Sequence, residues 1–412
     1  MMKERKVELL APAGNAEKLR VALAYGADAV YCGDATFGLR AGDTNFSRDE
    51  LTDGINYAHG LGKKVYVTVN IYPHQAEFAE LPGYLRFLAA AKADGILVAD
   101  MGVWKLARDI IPEMPLHVST QANTVNAMAA KAWESMGAKR IVLARELSLA
   151  EIKEIRAATN TELEIFVHGA MCVSYSGRCL LSNYLTERDA NRGKCAQACR
   201  WRYVLTEEKR PGQYFPIEED SHGTYILNAK DLSLMPHIGE IIAAGVDSLK
   251  IEGRRKSVHY VAGVVKAYRA AIDAYYANPK NFIVHKKWLH ELEQVSHRPY
   301  TAGFFNGTPA ENLQFYGTSS YIRQAEFLGM VLSYDEATGM ATVARRNTLR
   351  IGDKISIMQP TAAGFSQILT EMYDEFGTEI GTAPHAGQIV RIKTEQPTEH
   401  YAIIRKEVQE QW

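Results

Sequence analysis

The amino-terminal part of the chain alternates between short apolar runs and segments with helical spacing, and this alternation restricts the fold more than any other feature. The apolar runs are rich in β-branched residues and end at Gly, Pro or a polar residue, as strands do. Eight predicted strands occupy residues 7–14, 29–34, 64–70, 95–100, 116–122, 140–146, 163–169 and 248–254. Strands that alternate with helices form parallel sheets, and eight such units are typical of a closed (β/α)8 TIM-like barrel. A doubly wound open sheet is the alternative.

Several helix starts carry residues that can satisfy the free N–H groups of a first helical turn. Asn15 precedes an apolar stripe with helical spacing, and Ser148 precedes another. Ser47 is followed three residues later by Glu50, which is the spacing of a capping box. These signals place helices directly after the first, second and sixth predicted strands.

Polar side chains stand at the carboxyl ends of several predicted strands. They are Asn70, Asp100, Gln121, Arg145, Glu146, His168, Glu252 and Arg254. In a barrel these ends meet at one rim, which is where barrel enzymes build their active sites. Contact with solvent explains any single one equally well, but their convergence favours a site.

Four of the five cysteines fall in one segment with the spacing C-x6-C-x15-C-x3-C. They are Cys172, Cys179, Cys195 and Cys199. They lie in an insertion of about residues 170–225 that follows the seventh strand, and we expect residues 227–245 to form the delayed helix, with Asp231 near its start. Thiolates bind soft metals, so an iron–sulfur cluster or zinc is expected, while reduced cysteines without metal or redox disulfides are the alternatives. Cys32, in the second strand, is expected to be a small buried residue.

Basic and aromatic residues surround the last two cysteines. They are Arg192, Lys194, Arg200, Trp201 and Arg202. Cations can meet phosphates while rings stack on unpaired bases, so the pattern favours an RNA loop, although a solvated charged face is the alternative. Further basic runs occupy residues 250–256 and 344–350. The net charge of −1 gives no global attraction for nucleic acid, so RNA binding has to come from such local patches.

The composition changes near residue 323, and short predicted strands dominate beyond it. We therefore divide the chain into a barrel domain at 1–322 and a small all-β barrel domain at 323–412. The sequence has no apolar run of about 18 residues and no secretory signal, so we expect a cytoplasmic protein without a membrane span. It also lacks the G-x-S-x-G, H-E-x-x-H and P-loop motifs, which disfavours the hydrolases that use them.

The segment EIFVHGAMCVSYSGRCLLS at residues 164–182 closely resembles the signature of the U32 peptidase family, often labelled collagenase-like. The segments ELLAPAG at 8–14, YGADAVYCG at 25–33 and SLKIEGR at 248–254 resemble the same family. The resemblance covers about residues 5–320, and the carboxyl-terminal strands match the longer members.

Despite the peptidase label, the resemblance implies hydroxylation of a tRNA wobble uridine, of a ribosomal RNA cytidine or of the ubiquinone ring. Such members are oxygen-independent and carry iron–sulfur clusters, and the RNA-modifying ones depend on prephenate. The domain layout is most similar to the members that form 5-hydroxyuridine in tRNA. The alternatives are a U32-type peptidase, an rRNA hydroxylation factor and a non-catalytic iron–sulfur RNA-binding scaffold.

The resemblance also implies roles for individual residues. Cys172 and Cys179 match the signature cysteines and Cys195 stands where a third ligand is expected, which leaves Cys199 as the fourth ligand of a 4Fe–4S cluster and Cys32 in reserve. The expected catalytic residues are His168, Glu252 and Arg145, although a histidine at a strand end is equally often structural. The expected substrate contacts are Arg40, Asn70, Gln121, Lys250 and Arg254. The expected partners are the tRNA anticodon loop, prephenate or a similar dicarboxylate, and an electron donor or homologous subunit.

Overall fold

The computed structural model describes residues 6–34, 37–38, 45–172, 174–188, 190–192, 194–200, 218–220, 223–225, 229–307, 321–385 and 387–408. In chain order its first twelve strands are β1 (Glu8–Pro12), β2 (Ala29–Cys32), β3 (Lys64–Val69), β4 (Gly95–Val98), β5 (Leu116–Val118), β6 (Arg140–Val142), β7 (Glu162–Ala170), β8 (Glu218–Asp220), β9 (Gly223–Tyr225), β10 (Asp231–Ser233), β11 (Ser248–Ile251) and β12 (Tyr300–Thr301). Strands β1 to β7 pair in parallel in chain order, and β11 pairs in parallel with both β7 and β1. The sheet therefore closes on itself, which confirms the eight-stranded barrel and excludes the open sheet.

Most of the helices follow barrel strands and cover the outside of the barrel, while α7 lies in the insertion after β7 and α10 packs on α9. They are α1 (Ala16–Ala24), α2 (Arg48–Gly60), α3 (Leu81–Ala90), α4 (Met101–Ile110), α5 (Ala127–Ser135), α6 (Leu149–Ala158), α7 (Leu181–Thr186), α8 (Ile238–Ala243), α9 (Val258–Ala277) and α10 (Lys286–Glu293). The predicted caps are confirmed: Asn15 accepts from the Lys18 N–H, and Ser47 and Ser148 each form a capping box. No described helix has the length and apolar character needed to cross a membrane.

A buried ion network fills the amino-terminal end of the barrel. Arg140 lies 2.6 Å from Glu8 and 2.9 Å from both Glu162 and Glu164, measured between nitrogen and carboxylate oxygen. Glu164 also accepts from the Lys250 ammonium at 2.8 Å. Since Glu164 is fully buried, this network ties β1, β6, β7 and β11 together below the level of the site.

Strand β10 is a feature that the sequence did not indicate. It pairs antiparallel with the far end of β7 and parallel with β12. The prediction that Asp231 lies near a helix start is wrong, because Asp231 begins this strand and α8 starts only at Ile238. The physical reason is that β7 runs for nine residues, so its carboxyl end extends past the barrel and offers backbone groups to a further strand.

The carboxyl-terminal part is a curled antiparallel sheet, which confirms the all-β prediction. Its strands are β13 (Ala325–Asp335), β14 (Met340–Arg345), β15 (Leu349–Arg350), β16 (Lys354–Met358), β17 (Phe365–Ile368), β18 (Met372–Asp374), β19 (Thr382–Ala383), β20 (Ile389–Lys393) and β21 (Ile403–Glu407). Seven of them pair in the order β17-β16-β21-β13-β14-β20-β18, and β15 pairs with β19.

Side chains of both parts meet at their boundary. The Tyr25 hydroxyl on the barrel donates to the backbone oxygens of Met358 at 2.8 Å and Tyr401 at 3.1 Å. Met330, Met358 and Ile403 pack into the barrel's hydrophobic cluster. The sheet is therefore held against the barrel by apolar packing as well as by hydrogen bonds.

Candidate active site at the carboxyl rim of the barrel

The carboxyl ends of the barrel strands enclose a cavity of about 90 Å³, here called the rim cavity. Its lining consists of Tyr31, Thr68, Asn70, Leu97, Ser119, Thr120, Gln121, Arg145, Phe166, Lys250, Glu252 and Arg254. All the described residues that the sequence predicted as substrate contacts are present, together with the predicted Arg145 and Glu252.

Three cations of the rim cavity are held in fixed positions. The Arg254 guanidinium donates to the Thr68 hydroxyl at 3.0 Å and is only 5% exposed. The Arg145 guanidinium stands 3.9 Å from the centre of the Phe166 ring. Lys250 lines the cavity, and its ammonium is held by the hydrogen bond to Glu164. Arginine matches the geometry of a carboxylate, so this arrangement suits a small carboxylate ligand.

Two amide side chains add polar groups to the rim cavity. The Asn70 amide donates to the Ser119 hydroxyl at 3.1 Å, which fixes its orientation. The Gln121 side-chain oxygen is buried and has no hydrogen-bond partner among the described residues. A buried acceptor without a donor costs about 1–3 kcal/mol, and a donor group on a bound ligand would remove that cost.

A second cavity of about 310 Å³, here called the cysteine cavity, adjoins the first. It is lined by Arg145, Ala170, Met171, Cys172, Cys195, Gln197, Cys199, Glu252, Arg255, Lys256 and Tyr321. Arg145 and Glu252 line both cavities, so any molecule that spans them passes these two side chains.

The structure brings three of the four predicted metal ligands to the wall of one cavity. Cys179 is buried and does not line this cavity. Two of the sulfurs receive backbone N–H groups from the residue two positions further on. Gln197 donates to Cys195 at 3.4 Å. Burial raises the pKa of the Cys172 thiol, and the N–H of Ser174 offsets part of that rise. Such N–H donors stabilise thiolates and are a usual part of the surroundings of iron–sulfur clusters.

The donor set therefore fits a soft metal or an iron–sulfur cluster in its chemistry. All five cysteines are free thiols. Within the described ranges, no three His, Cys, Asp or Glu side chains are arranged to hold a metal ion. A single metal ion would therefore require these side chains to move closer together, whereas an iron–sulfur cluster bridges sulfurs that stand further apart.

Side chains that follow earlier barrel strands anchor the segment with the four cysteines, from Cys172 to Cys199, to the rim; we call it the cysteine segment. Glu146, after β6, accepts from both the N–H and the hydroxyl of Ser176 at 2.6 Å. This pairing holds Ser176 at a φ of 39°, an uncommon conformation for a residue with a side chain. Arg178 donates to the Tyr72 hydroxyl at 2.8 Å and to the Gln121 backbone oxygen at 3.1 Å.

The two halves of the segment are also joined to each other. The Asn191 side chain bonds both the N–H and the carbonyl of Cys179, at 3.3 and 3.1 Å. The Ser182 hydroxyl donates to the Arg188 carbonyl at 2.7 Å and accepts from the Ala196 N–H at 2.9 Å. These contacts bring the first cysteine pair close to the second despite the fifteen residues between them.

His168 does not reach either cavity, so the structure does not place it with the other predicted catalytic residues. Phe166 pairs with Lys250 and His168 pairs with Ile251, so Val167 is an extra residue in β7. This bulge turns His168 away from the barrel interior. Its ring nitrogens lie 3.5 Å from the hydroxyl of Tyr268 on α9 and 3.4 Å from the hydroxyl of Tyr300 on β12. Burial lowers the pKa of His168 to about 3, so the ring is neutral at physiological pH.

Cys32 also lies away from both cavities. It is fully buried in the barrel wall, as predicted, and its thiol lies 4.0 Å from the Tyr66 carbonyl. Burial raises the pKa of this thiol to about 12, which disfavours the thiolate that metal binding requires.

Several predicted contacts fall outside the described part of the chain. Arg40, Trp201 and Arg202 lie outside the described residues, and so do the side chains of Arg192 and Arg200. Lys194 is described and is exposed, in agreement with either an RNA contact or a solvated face. These RNA-binding assignments stay predictions.

The sequence reasoning missed the cavity residues that precede the strand ends. Tyr31, Thr68 and Phe166 face the interior from within β2, β3 and β7. Alternation along each strand is the signal that could have found them, because residues two positions apart face the same side. Gly169 was also missed: its φ is +110°, and a Cβ there would stand 2.5 Å from the Glu252 carbonyl oxygen.

Barrel, cysteine segment and carboxyl-terminal sheet together match one known family. The model of peptidase family U32 matches residues 14–314, and the model of the U32 carboxyl-terminal domain matches residues 323–405. The chain therefore belongs to peptidase family U32.

Individual relatives carry names that refer to RNA modification. The chain is 42% identical to tRNA hydroxylation protein P1 of Bacillus subtilis, over 98% of this chain and 95% of that protein. It is 39% identical to tRNA hydroxylation protein P of Escherichia coli, over 97% of each. It is also 39% identical to the 23S rRNA 5-hydroxycytidine C2501 synthase of Escherichia coli, but over 65% of this chain and 40% of that protein.

Proposed function

We propose that this protein is a cytoplasmic tRNA-modifying enzyme that forms 5-hydroxyuridine at the wobble position. Full-length similarity to two proteins named for tRNA hydroxylation supports the substrate class. The observation that carries the chemistry is the pair of adjoining cavities, one with fixed cations and one with thiols, joined at Arg145 and Glu252. The wobble base is unpaired, so extruding it into a pocket costs less than opening a duplex.

The rim cavity is proposed to bind a carboxylate of a small co-substrate such as prephenate. Arg254 and Lys250 are held by Thr68 and Glu164, so they lose little freedom when a ligand binds. A cavity of about 90 Å³ admits a carboxylate group, while the larger cysteine cavity has space for the rest of the molecule and for the base. The Gln121 oxygen would accept a hydrogen bond from a ligand hydroxyl.

The cysteine cavity is proposed to hold a 4Fe–4S cluster, with zinc as the alternative. Cys172, Cys179, Cys195 and Cys199 would be the ligands, and the cluster would supply electron transfer or Lewis acidity in a reaction without molecular oxygen. Glu252 lines both cavities, so its carboxylate would be the group that exchanges a proton with a base bound across them. Arg145 would stabilise negative charge that develops beside it.

The two other named activities have less support. No histidine lines either cavity, so a Cys–His or Ser–His pair for peptide hydrolysis is absent from the described lining. The rRNA cytidine synthase is matched over less than half of its length, whereas the tRNA proteins are matched over nearly all of theirs.

Nucleoside analysis of tRNA from a deletion strain lacking paralogues tests the proposal. We expect 5-hydroxyuridine to disappear and to return with the wild-type gene or with Lys153→Glu, since Lys153 is exposed on the outer helix α6. Arg254→Gln should reduce its level about tenfold or more, because it removes a fixed cation of the rim cavity. Unchanged 5-hydroxyuridine in the deletion strain would refute the assignment.

The cofactor is tested separately. Protein purified without oxygen should contain iron and sulfide, and Cys172→Ser should lose both together with the modification. A colourless protein that contains zinc would overturn the cluster and leave the RNA substrate unaffected.

A further inference from the structure

A third cavity, of about 600 Å³, separates the barrel rim from the carboxyl-terminal sheet. We call it the interdomain groove. Arg255 and Lys256 line it from the barrel, Tyr321 and Arg323 from the connection, and Phe327 and Asn347 from the sheet.

The groove carries cations that the protein does not neutralise itself. Arg255 and Arg323 are exposed, and neither forms an ion pair within the described part of the chain. The charge of Lys256 is partly compensated within the protein: its ammonium donates to the Ser296 carbonyl at 3.0 Å and lies 3.7 Å from Asp231. Glu326 is the carboxylate in the described lining, so positive charge prevails.

The groove also offers aromatic surfaces with fixed orientations. The Tyr321 ring lies 4.2 Å from the Lys256 ammonium and 4.8 Å from the Arg298 guanidinium. The Phe327 ring stacks on His259 at 5.7 Å with an interplanar angle of 28°. Cations interleaved with rings are the pattern that binds single-stranded nucleic acid, because phosphates meet the charges and bases stack on the rings.

The groove runs into the candidate active site. Arg255, Lys256 and Tyr321 line both the groove and the cysteine cavity. A strand lying in the groove would therefore present its next nucleotide at the cysteine cavity and at Glu252. An acidic polypeptide would satisfy the cations but would make no use of this continuity or of the aromatic rings.

We propose that the interdomain groove binds the RNA strand next to the target base, with phosphates at Arg255 and Arg323. This inference rests on the proposed function and adds the path by which the substrate reaches the site. It also assigns a task to the carboxyl-terminal sheet, which supplies one wall of the groove.

The test measures binding, not modification. Unmodified tRNA and an isolated anticodon stem–loop are titrated into the purified protein, by fluorescence anisotropy, at several salt concentrations. Arg255→Gln and Arg323→Gln should each weaken binding of both RNAs and lower the slope of log affinity against log salt by about one, since each removes one phosphate contact. The double substitution should lower the slope by about two. Lys153→Gln, on the outside of the barrel, is the matched control and should leave the slope unchanged.

The outcomes separate this inference from the proposed function. If the wild type binds RNA with an unchanged salt slope in both groove variants, the groove inference is wrong while the function stands. If the variants lose binding of polyglutamate and keep binding of RNA, the groove serves an acidic protein partner instead. If the wild type binds neither RNA, the groove inference and the proposed substrate fail together. Thermal unfolding of each variant establishes that the protein is folded.

Discussion

Glu164 is the carboxylate that compensates the buried charges of Arg140 and Lys250 inside the barrel. Burial works to raise its pKa, but Lys250 and Arg140 together hold the pKa of this carboxyl below its usual value. Glu164→Gln would leave Lys250 buried without its partner, and we expect the free energy of unfolding to fall by about 3–5 kcal/mol. Urea denaturation measures this, with Glu154→Gln on the exposed face of α6 as the control. A loss equal to that of the control would show that the network does not stabilise the fold.

His168 gives a prediction about pH. Its pKa is about 3 in the folded protein, against an ordinary value of 6.5, so the unfolded chain takes up the proton more readily. The free energy of unfolding should therefore fall as pH drops from about 6.5 toward about 3, by up to about 1.4 kcal/mol per pH unit from this group. We expect His168→Gln to reduce that slope in urea denaturation between pH 6 and pH 5, and His385→Gln, at an exposed position, to leave it unchanged.

The same substitution tests whether His168 is structural. Because the side chain contacts Tyr268 of α9 and Tyr300 of β12 and not the cavities, His168→Gln should retain 5-hydroxyuridine formation in cells grown at moderate temperature. If the folded variant lost the modification completely, a catalytic role for His168 would be supported instead.

Among individual residues, the sequence predicted the polar residues at the strand ends but not the cavity residues further down the same strands. Asn70, Gln121, Arg145, Glu252 and Arg254 could be chosen because strand ends converge in any parallel barrel. The interior residues further down the strands require the pairing register. The outward turn of one histidine depends on a single extra residue in β7, which no periodicity reveals.

Among the elements, the contact of β7 with the segment after β11 depends on Gly169. Gly169→Ala would force a side chain to a φ of +110° and against the Glu252 carbonyl. We expect a loss of at least about 1–3 kcal/mol of stability and of most of the modification, since Glu252 would be displaced. Gly83, in α3, has open space around its Cβ position, so Gly83→Ala should stabilise the protein by about 0.5–1 kcal/mol. Equal effects of the two substitutions in urea denaturation would contradict this account.

The cysteine segment depends on a few side-chain anchors. Arg178→Met removes its hydrogen bonds to Tyr72 and Gln121. We expect faster amide hydrogen exchange in residues 174–188 while the global free energy of unfolding changes by less than about 1 kcal/mol, because the segment lies outside the barrel core. Arg188→Met, at an exposed position of the same segment, is the control. Unchanged exchange in the first variant would show that other contacts hold the segment.

The barrel strands and several helix caps could be predicted from the sequence, because each depends on residues close together in the chain. Asn15, Ser47 and Ser148 each act on an N–H group within three residues. Strand β10 was not readable, because its pairing depends on how far β7 extends beyond the barrel. The cysteine spacing indicated a thiol site, but the side chains that anchor this segment to the rim, Tyr72, Gln121 and Glu146, come from three distant loops.

For the molecule as a whole, the boundary between barrel and sheet should behave as a strong contact. Arg405 on β21 donates to Glu291 on α10 at 2.8 Å, and both side chains are largely buried. Arg405→Met leaves Glu291 without its partner, which should weaken the contact by about 3 kcal/mol. We expect calorimetry to show one unfolding transition for the wild type and two for the variant, with Arg391→Met, on the exposed side of β20, resembling the wild type. A single transition in the Arg405 variant would mean that apolar packing alone suffices.

The positions of the anchors have a consequence for biogenesis. Tyr72, Gln121 and Glu146 are all translated before Cys172, so the surface that receives the cysteine segment leaves the ribosome first. Glu252 and Tyr321, which complete the cysteine cavity, are translated long after Cys199. The cavity is therefore enclosed only late in synthesis, and whatever occupies it enters a nearly finished chain. In ribosome-bound chains that end before β11, Cys172 and Cys195 should accordingly be alkylated faster than in released protein, where both are only partly exposed.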